Sequence, residues 1–112
     1  MKIEDYSFGK MKVDGQEFED DLILDDREGE ISIWVREEGH DVFESDLDRL
    51  KEKSPKTVII GTGNSGQMEV SNEAKRFIEN KGAKLIIEET PKAVKKYNKT
   101  KGSKIGMFHL TC

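Results

Sequence analysis

A wholly apolar run that leads directly into a glycine-rich loop constrains the fold of this chain more than any other feature. Residues 57–60 read TVII, a β-branched sequence typical of a strand that is buried on both faces. Strands of that kind occur in sheets that helices cover from both sides, so we expect an α/β architecture. The 112 residues have room for one domain, 1–112.

The segments around this run predict a three-layer domain with a mixed β-sheet. Scattered apolar anchors in residues 1–20 indicate short extended segments, and residues 21–25 and 31–37 predict a β-hairpin. After the hairpin, capping residues predict three helices that alternate with apolar strands. These caps are Ser45, Ser71 and Thr90. The strands at 57–60 and 83–89 are expected to be buried and parallel, in a βαβ-like half with a right-handed crossover.

The second strand of the hairpin alternates apolar and other residues. Ile31, Ile33 and Val35 would form its core face. Trp34 lies on the other face, where we expect the N-terminal segment to cover it.

The direction of the last strand, residues 104–110, is left open by the sequence. If it runs parallel to 57–60, His109 reaches the sheet edge where the glycine loop leaves, and an imidazole there would suit acid–base chemistry. If it runs antiparallel, Lys104 meets the loop instead and would suit an anion.

The loop itself carries the spacing G-x-G-x-x-G at Gly61, Gly63 and Gly66, which in dinucleotide-binding proteins cradles a pyrophosphate. The helix, however, begins only after Ser71, whereas the fingerprint requires its N-terminus to point at the phosphate. We therefore expect a wide structural loop, no nucleotide cofactor and no tight binding of NAD, NADP, FAD or ATP.

Ser65 misses the nucleophile-elbow spacing by one position, so no catalytic residue is assigned. The candidate ligand-binding residues are Gly61, Gly63, Asn64, Ser65, Lys104 and His109.

Cysteine and histidine are scarce, which argues against a metal site. Cys112 is the only cysteine, and the histidines are His40 and His109. A structural zinc ion normally takes four such ligands, and His40 is predicted to lie in a distant turn. On a strand, His109 and Cys112 would point to opposite faces and would not share a metal. We expect structural roles for both and no metal.

Charge is divided unevenly along the chain. Residues 1–50 hold 17 acidic and 6 basic residues, and residues 51–112 hold 6 acidic and 13 basic residues, so the net charges are −11 and +7. The two halves would stabilise each other if they pack together. The lysine-rich run at 92–104 lacks the arginines and interleaved aromatics of a nucleic-acid groove, so we do not expect nucleic acid as a partner. No apolar run approaches the roughly 18 residues of a membrane span, and no signal peptide is visible, so we expect a cytoplasmic protein.

Three segments resemble a known family: SFGKMKVDGQEF near the start, VIIGTGNSGQM in the middle and VKKYNKTKGSKIGMFHLTC at the end. They are similar to the small domains typified by the animal adipogenesis-associated protein and, more distantly, by a mitochondrial respiratory complex I assembly factor. The resemblance implies a stand-alone α/β domain with a mixed sheet, no established catalytic activity, and action through protein partners.

These observations favour a non-enzymatic interaction or assembly protein, present as a monomer or a weak homodimer, with protein partners. The alternative is a small-molecule or anion-binding protein, or an enzyme, that uses the loop at 61–66.

Overall fold

Ten strands, two α-helices and one 3₁₀ helix make up the structure, a computed structural model that describes all of residues 1–112. The strands are β1 (Ile3–Ser7), β2 (Lys10–Val13), β3 (Gln16–Phe18), β4 (Leu22–Asp25), β5 (Glu30–Ile33), β6 (Asp41–Val42), β7 (Thr57–Thr62), β8 (Glu69–Val70), β9 (Lys84–Glu88) and β10 (Lys104–His109). The helices are the 3₁₀ helix (Glu44–Leu50), α1 (Asn72–Asn80) and α2 (Thr90–Lys99). None of them is long and apolar enough to cross a membrane.

The central sheet is mixed and has the strand order β5-β4-β10-β7-β9. Strand β10 pairs in parallel with β7, which pairs in parallel with β9. On its other side β10 pairs antiparallel with β4, and β4 pairs with β5 as the predicted hairpin. The fold class is therefore confirmed, and the sequence alternative of a last strand antiparallel to β7 is wrong.

Two apolar clusters lie on opposite faces of this sheet. The sheet and the elements that cover its two faces make three layers. Alternate residues of β7 enter different clusters: Val58 and Ile60 pack towards the 3₁₀ helix and α1, whereas Ile59 packs towards α2 and the N-terminal strands β1–β3. All three side chains are fully buried, as expected for a strand covered on both faces.

Three local predictions are corrected by the structure. Strand β9 is an edge strand and is only partly buried, because no further strand follows it in the sheet. Thr90 is the first residue of α2 and not its cap, a position that Glu89 takes. The helix expected after Ser45 is a 3₁₀ helix that begins at Glu44, with Phe43 as its cap residue.

The predicted core face of β5 is corrected in part, because Ile31 does pack against the apolar cluster on the α2 side but the next two residues of that face do not. Trp34 is only 4% exposed, whereas Ile33 is 57% and Val35 80% exposed. Trp34 packs beside Leu47 and Leu50 of the 3₁₀ helix, and its indole Nε1 donates a hydrogen bond to the Asp46 carbonyl. Alternation separates two faces of a strand, but it does not say which of the two a neighbouring element will cover.

Candidate functional site

The direction of β10 decides which buried polar residue reaches the loop edge of the sheet. Its parallel register places His109 beside Thr62, at the end of β7, and Lys104 beside Thr57, at the start of β7. His109 therefore lies at the edge where the glycine loop leaves, and Lys104 lies at the opposite edge.

An ion pair between distant parts of the chain holds the imidazole of His109. Asp21 directly precedes β4, which runs antiparallel to β10, so its carboxylate lies beside the end of β10. Asp21 Oδ2 lies 2.7 Å from His109 Nδ1 and 2.7 Å from Arg36 Nη2, and Oδ1 accepts the backbone N–H of Leu110 at 2.7 Å. Asp21 thus joins Arg36, His109 and the Leu110 amide in one polar network at the rim of the sheet.

This network assigns the tautomer of His109. Arg36 Nη2 also lies 3.2 Å from His109 Nδ1, but guanidinium groups only donate hydrogen bonds. The shorter contact to Asp21 therefore places the proton on Nδ1, which donates to the carboxylate, and leaves the lone pair on Nε2.

Asp21 is held as a carboxylate by the same contacts. Burial alone would raise the pKa of its carboxyl, but the hydrogen bonds from His109, from the Leu110 N–H and from Arg36 outweigh burial and lower it from 3.8.

The other ring nitrogen of His109 is buried and has no hydrogen-bond partner in the protein. His109 is only 6% exposed, so water does not readily compensate for the missing bond. Arg36 Nε and Nη1 also lack hydrogen-bond partners. The guanidinium, however, lies 4.6 Å from the centre of the Trp34 ring, where a cation–π interaction stabilises it. No comparable interaction compensates for the missing hydrogen bond at His109 Nε2.

His40 and Cys112 complete the site, which the sequence argument did not foresee. One ligand-type atom from each of His40, His109 and Cys112 lies within 4.8 Å of the others. The rings of His40 and His109 meet edge to face with centroids 6.3 Å apart. His40 is exposed, and Cys112 is half-buried.

Both premises of the sequence argument against a shared site fail for identifiable reasons. The turn that carries His40 is not distant, because β6 pairs in parallel with β8 and the Glu69 N–H donates to the His40 carbonyl at 2.7 Å. Strand β10 ends at His109, so the alternation of a strand does not extend to Cys112, whose φ of 22° is not that of an extended residue.

The glycine loop is filled by the protein's own chain. The N–H of Gly63 donates to the Thr90 hydroxyl at 2.8 Å, and the N–H groups of Asn64 and Gln67 donate to the carbonyls of Thr111 and Cys112. A Cβ on Gly63 would lie 2.5 Å from the Thr111 carbonyl oxygen, so glycine is needed here for close packing and for its φ of 108°. The amides that a phosphate would need are therefore engaged.

The remaining sequence candidates separate. Gly61 belongs to β7 and is buried against Phe108 and Thr90, while Asn64 and Ser65 are exposed. Thr90 fixes the arrangement by donating its hydroxyl proton to the His109 carbonyl at 2.6 Å. The structure thus brings the loop, His109 and Cys112 to one edge, and it excludes Lys104.

The residues that sequence reasoning missed are Asp21, Arg36, His40 and Cys112. No motif spacing signals them, because Asp21 and His109 are 88 positions apart and meet only through the sheet register.

Comparison with known proteins places this architecture in a recognised group. A family profile described as a protein of unknown function (DUF498/DUF598) matches residues 3–107. The conserved hypothetical protein PH1505 from Pyrococcus horikoshii OT3 is similar in structure, with a TM-score of 0.88 and 26% identity over 100% of each chain.

Two bacterial structures share the fold at lower identity. A protein from Bordetella parapertussis matches with a TM-score of 0.77 and 20% identity, over 96% of this chain and 92% of its own. An outer membrane protein from Bartonella henselae matches with a TM-score of 0.79 and 18% identity, over 98% and 94% of the two chains.

Proposed function

We propose that this chain, which belongs to the DUF498/DUF598 family, is a protein-interaction domain that binds an extended segment of a partner along the free edge of β5. The observation that carries the proposal is the exposure of two large apolar side chains, Ile33 and Val35, at the outer edge of the central sheet. Exposed apolar groups that adjoin unpaired strand backbone are typical of sites where a second strand is added.

The backbone of β5 supports strand addition. Trp34 N–H donates to the Asp21 carbonyl at 2.8 Å, which fixes the hydrogen-bonded positions of the β4–β5 pair. Because these positions alternate along an antiparallel pair, the backbone groups of Ile31 and Ile33 face away from β4. A partner strand would find donors and acceptors at both residues.

A shallow groove beside this edge would receive partner side chains. It lies between β5 and the 3₁₀ helix, and Ile33, Trp34 and Val35 form one wall while Asp48 and Arg49 form part of the other. The buried indole gives the groove a rigid apolar side, which favours an aromatic or aliphatic side chain from the partner.

The charge around the edge selects among partners. Glu30 lies in β5, and Glu28, Glu37 and Glu38 flank the strand. The exposed cations nearby are Arg27 and Arg49, and Arg49 is already paired with Glu30 at 3.2 Å. A second copy of the chain would bring the same acids together, so this surface favours a different protein whose apolar segment is flanked by lysine or arginine.

The proposal agrees with the resemblance to proteins that act through partners, namely the adipogenesis-associated protein and the complex I assembly factor. We further propose that the domain acts in the assembly of a protein complex and that it is cytoplasmic.

Photo-crosslinking from the edge tests this function. A photoreactive amino acid in place of Val35, introduced in the source cells, should crosslink a partner that mass spectrometry identifies. A synthetic peptide of the crosslinked segment should then shift the amide NMR signals of residues 31–35 of the wild-type protein. It should not bind the double variant Ile33→Lys/Val35→Lys.

A matched control is Phe8→Lys, which removes a side chain that is 62% exposed on the β1–β2 turn. Binding should survive this change. Equal loss of binding in both variants, or peptide-induced shifts confined to other surfaces, would contradict the β5 edge as the binding site.

A further inference from the structure

The cluster of His40, His109 and Cys112 has a feature that partner binding at β5 does not explain. Its three side chains come from the turn before β6, the end of β10 and the segment beyond β10. They nevertheless bring one nitrogen or sulfur atom each to within 4.8 Å of one another.

The buried, unpartnered nitrogen of His109 gives an independent indication of a ligand. A buried polar atom without a hydrogen bond lowers stability unless something occupies it. The lone pair on Nε2 is available because Nδ1 donates its proton to Asp21 at 2.7 Å. A carboxylate that fixes a histidine in this way is the usual outer partner of a metal-binding imidazole.

We propose that His40, His109 and Cys112 bind one thiophilic divalent transition-metal ion of the Zn²⁺ class. Two imidazoles and one thiolate suit Zn²⁺ and its chemical relatives, whereas Mg²⁺ and Ca²⁺ require oxygen ligands. On binding, the Cys112 thiol releases its proton to solvent and its sulfur forms a bond to the ion.

The geometry requires only a small closure. Metal–ligand bonds of about 2.0–2.3 Å place the ligand atoms of a tetrahedral zinc ion roughly 3.3–3.8 Å apart. His40 is exposed and Cys112 half-buried, so these two side chains have room to move inward by about 1 Å, while His109 is held by Asp21.

The set of three protein ligands leaves one position open. Zinc sites with three protein ligands keep a fourth place for water or an exogenous group, whereas closed structural sites use four. Neither apolar cluster of the core contains one of the three ligands, so metal is expected to bind the folded protein and not to drive its folding.

Titration of the full, tag-free chain tests the proposal. After treatment with EDTA and a reductant, the protein should bind one Zn²⁺ per chain by isothermal titration calorimetry. Co²⁺ used as a spectroscopic probe should give visible bands of a four-coordinate ion together with a near-ultraviolet thiolate-to-metal band.

Variants at the two accessible ligands keep the test independent of folding. Cys112→Ser should abolish the thiolate band, and both Cys112→Ser and His40→Gln should weaken Zn²⁺ binding by about tenfold or more. Asp21→Asn should weaken it by roughly 10–100-fold, since the outer hydrogen bond to His109 is lost. Glu69→Gln, an exposed change on the strand that pairs beside His40, should leave the affinity unchanged.

Three results would overturn the site: no saturable Zn²⁺ binding, a Co²⁺ spectrum without the thiolate band in the wild-type protein, or equal affinities in the wild type and Cys112→Ser. Crosslinking at β5 is a separate measurement, so either proposal can fail alone.

Discussion

The two ends of strand β10 carry polar side chains that are equally buried but differ in their hydrogen bonding. Lys104 and His109 are each 6% exposed. Lys104 Nζ donates to the carbonyls of Tyr97 and Thr100 at 2.6 and 3.0 Å and lies 4.3 Å from the centre of the Tyr97 ring. His109 keeps one ring nitrogen without a partner.

This difference separates a structural role from a functional one. The ammonium of Lys104 caps the C-terminal end of α2, where the helix dipole and the free carbonyls favour a cation. These contacts already stabilise the positive charge of Lys104. We therefore assign it a structural role and no ligand. At the other end of the strand, the protein orients an imidazole and leaves its lone pair available.

The largest effect that this comparison predicts is on stability at the Lys104 end. Lys104→Met should lower the free energy of unfolding by about 3 kcal/mol. The charged hydrogen bonds to the last turn of α2 are lost, and the Thr100 carbonyl loses its Lys104 donor. Urea denaturation followed by circular dichroism measures the change.

Lys101→Met, at an exposed position beside the same helix end, should alter stability by less than about 0.5 kcal/mol. Lys104→Met should also leave Zn²⁺ affinity unchanged. If Lys104→Met were neutral, or if it altered metal binding, the assignment of separate roles to the two strand ends would fail.

Much of the scaffold that creates these two ends was predictable from local sequence. The apolar run at 57–60, the Ser71 cap and the break at Gly82 each specify backbone conformation within a few residues, and Ser71 does accept the Ala74 N–H. Interior strands are recognisable because both of their faces must be apolar.

The site was less predictable because it depends on which elements meet. The Asp21–His109 contact follows from antiparallel pairing of β4 with β10, and the approach of His40 follows from the two-residue pairing of β6 with β8. Neither pairing leaves a periodic signal in the sequence. Even the glycine fingerprint was misleading in isolation, since its glycines make room for Thr90, Thr111 and Cys112.

A smaller, pH-dependent effect is expected at the His109 end. Asp21→Asn should lower the free energy of unfolding by about 1–2 kcal/mol at neutral pH, because Arg36 and His109 lose their charged partner. The folded-state pKa of Asp21 is lowered from 3.8, so its stabilisation is present above that value and is lost as pH falls through the lower, folded-state pKa.

The difference in stability between the wild type and Asp21→Asn should therefore be largest at neutral pH and shrink in acid. Asp20→Asn changes an exposed neighbour and should show no such trend. A constant difference down to acid pH would mean that the Asp21 carboxylate does not support His109 electrostatically.

The smallest expected effect, none at all, concerns nucleotides at the glycine loop beside His109. The N–H groups of Gly63, Asn64 and Gln67 already donate within the chain, and Gly61 is packed against Phe108. A pyrophosphate would have to displace these bonds and enter space held by Thr111 and Cys112. Calorimetric titration with NAD, NADP, FAD and ATP should therefore show no binding tighter than about millimolar Kd, in the metal-free protein and in the Zn²⁺-loaded protein alike.

Micromolar binding to the metal-free protein would show that the loop opens. The loop would then be a functional element at this edge in its own right, beside His109. Micromolar binding only after Zn²⁺ is added would instead assign the phosphate to the open coordination position of the metal.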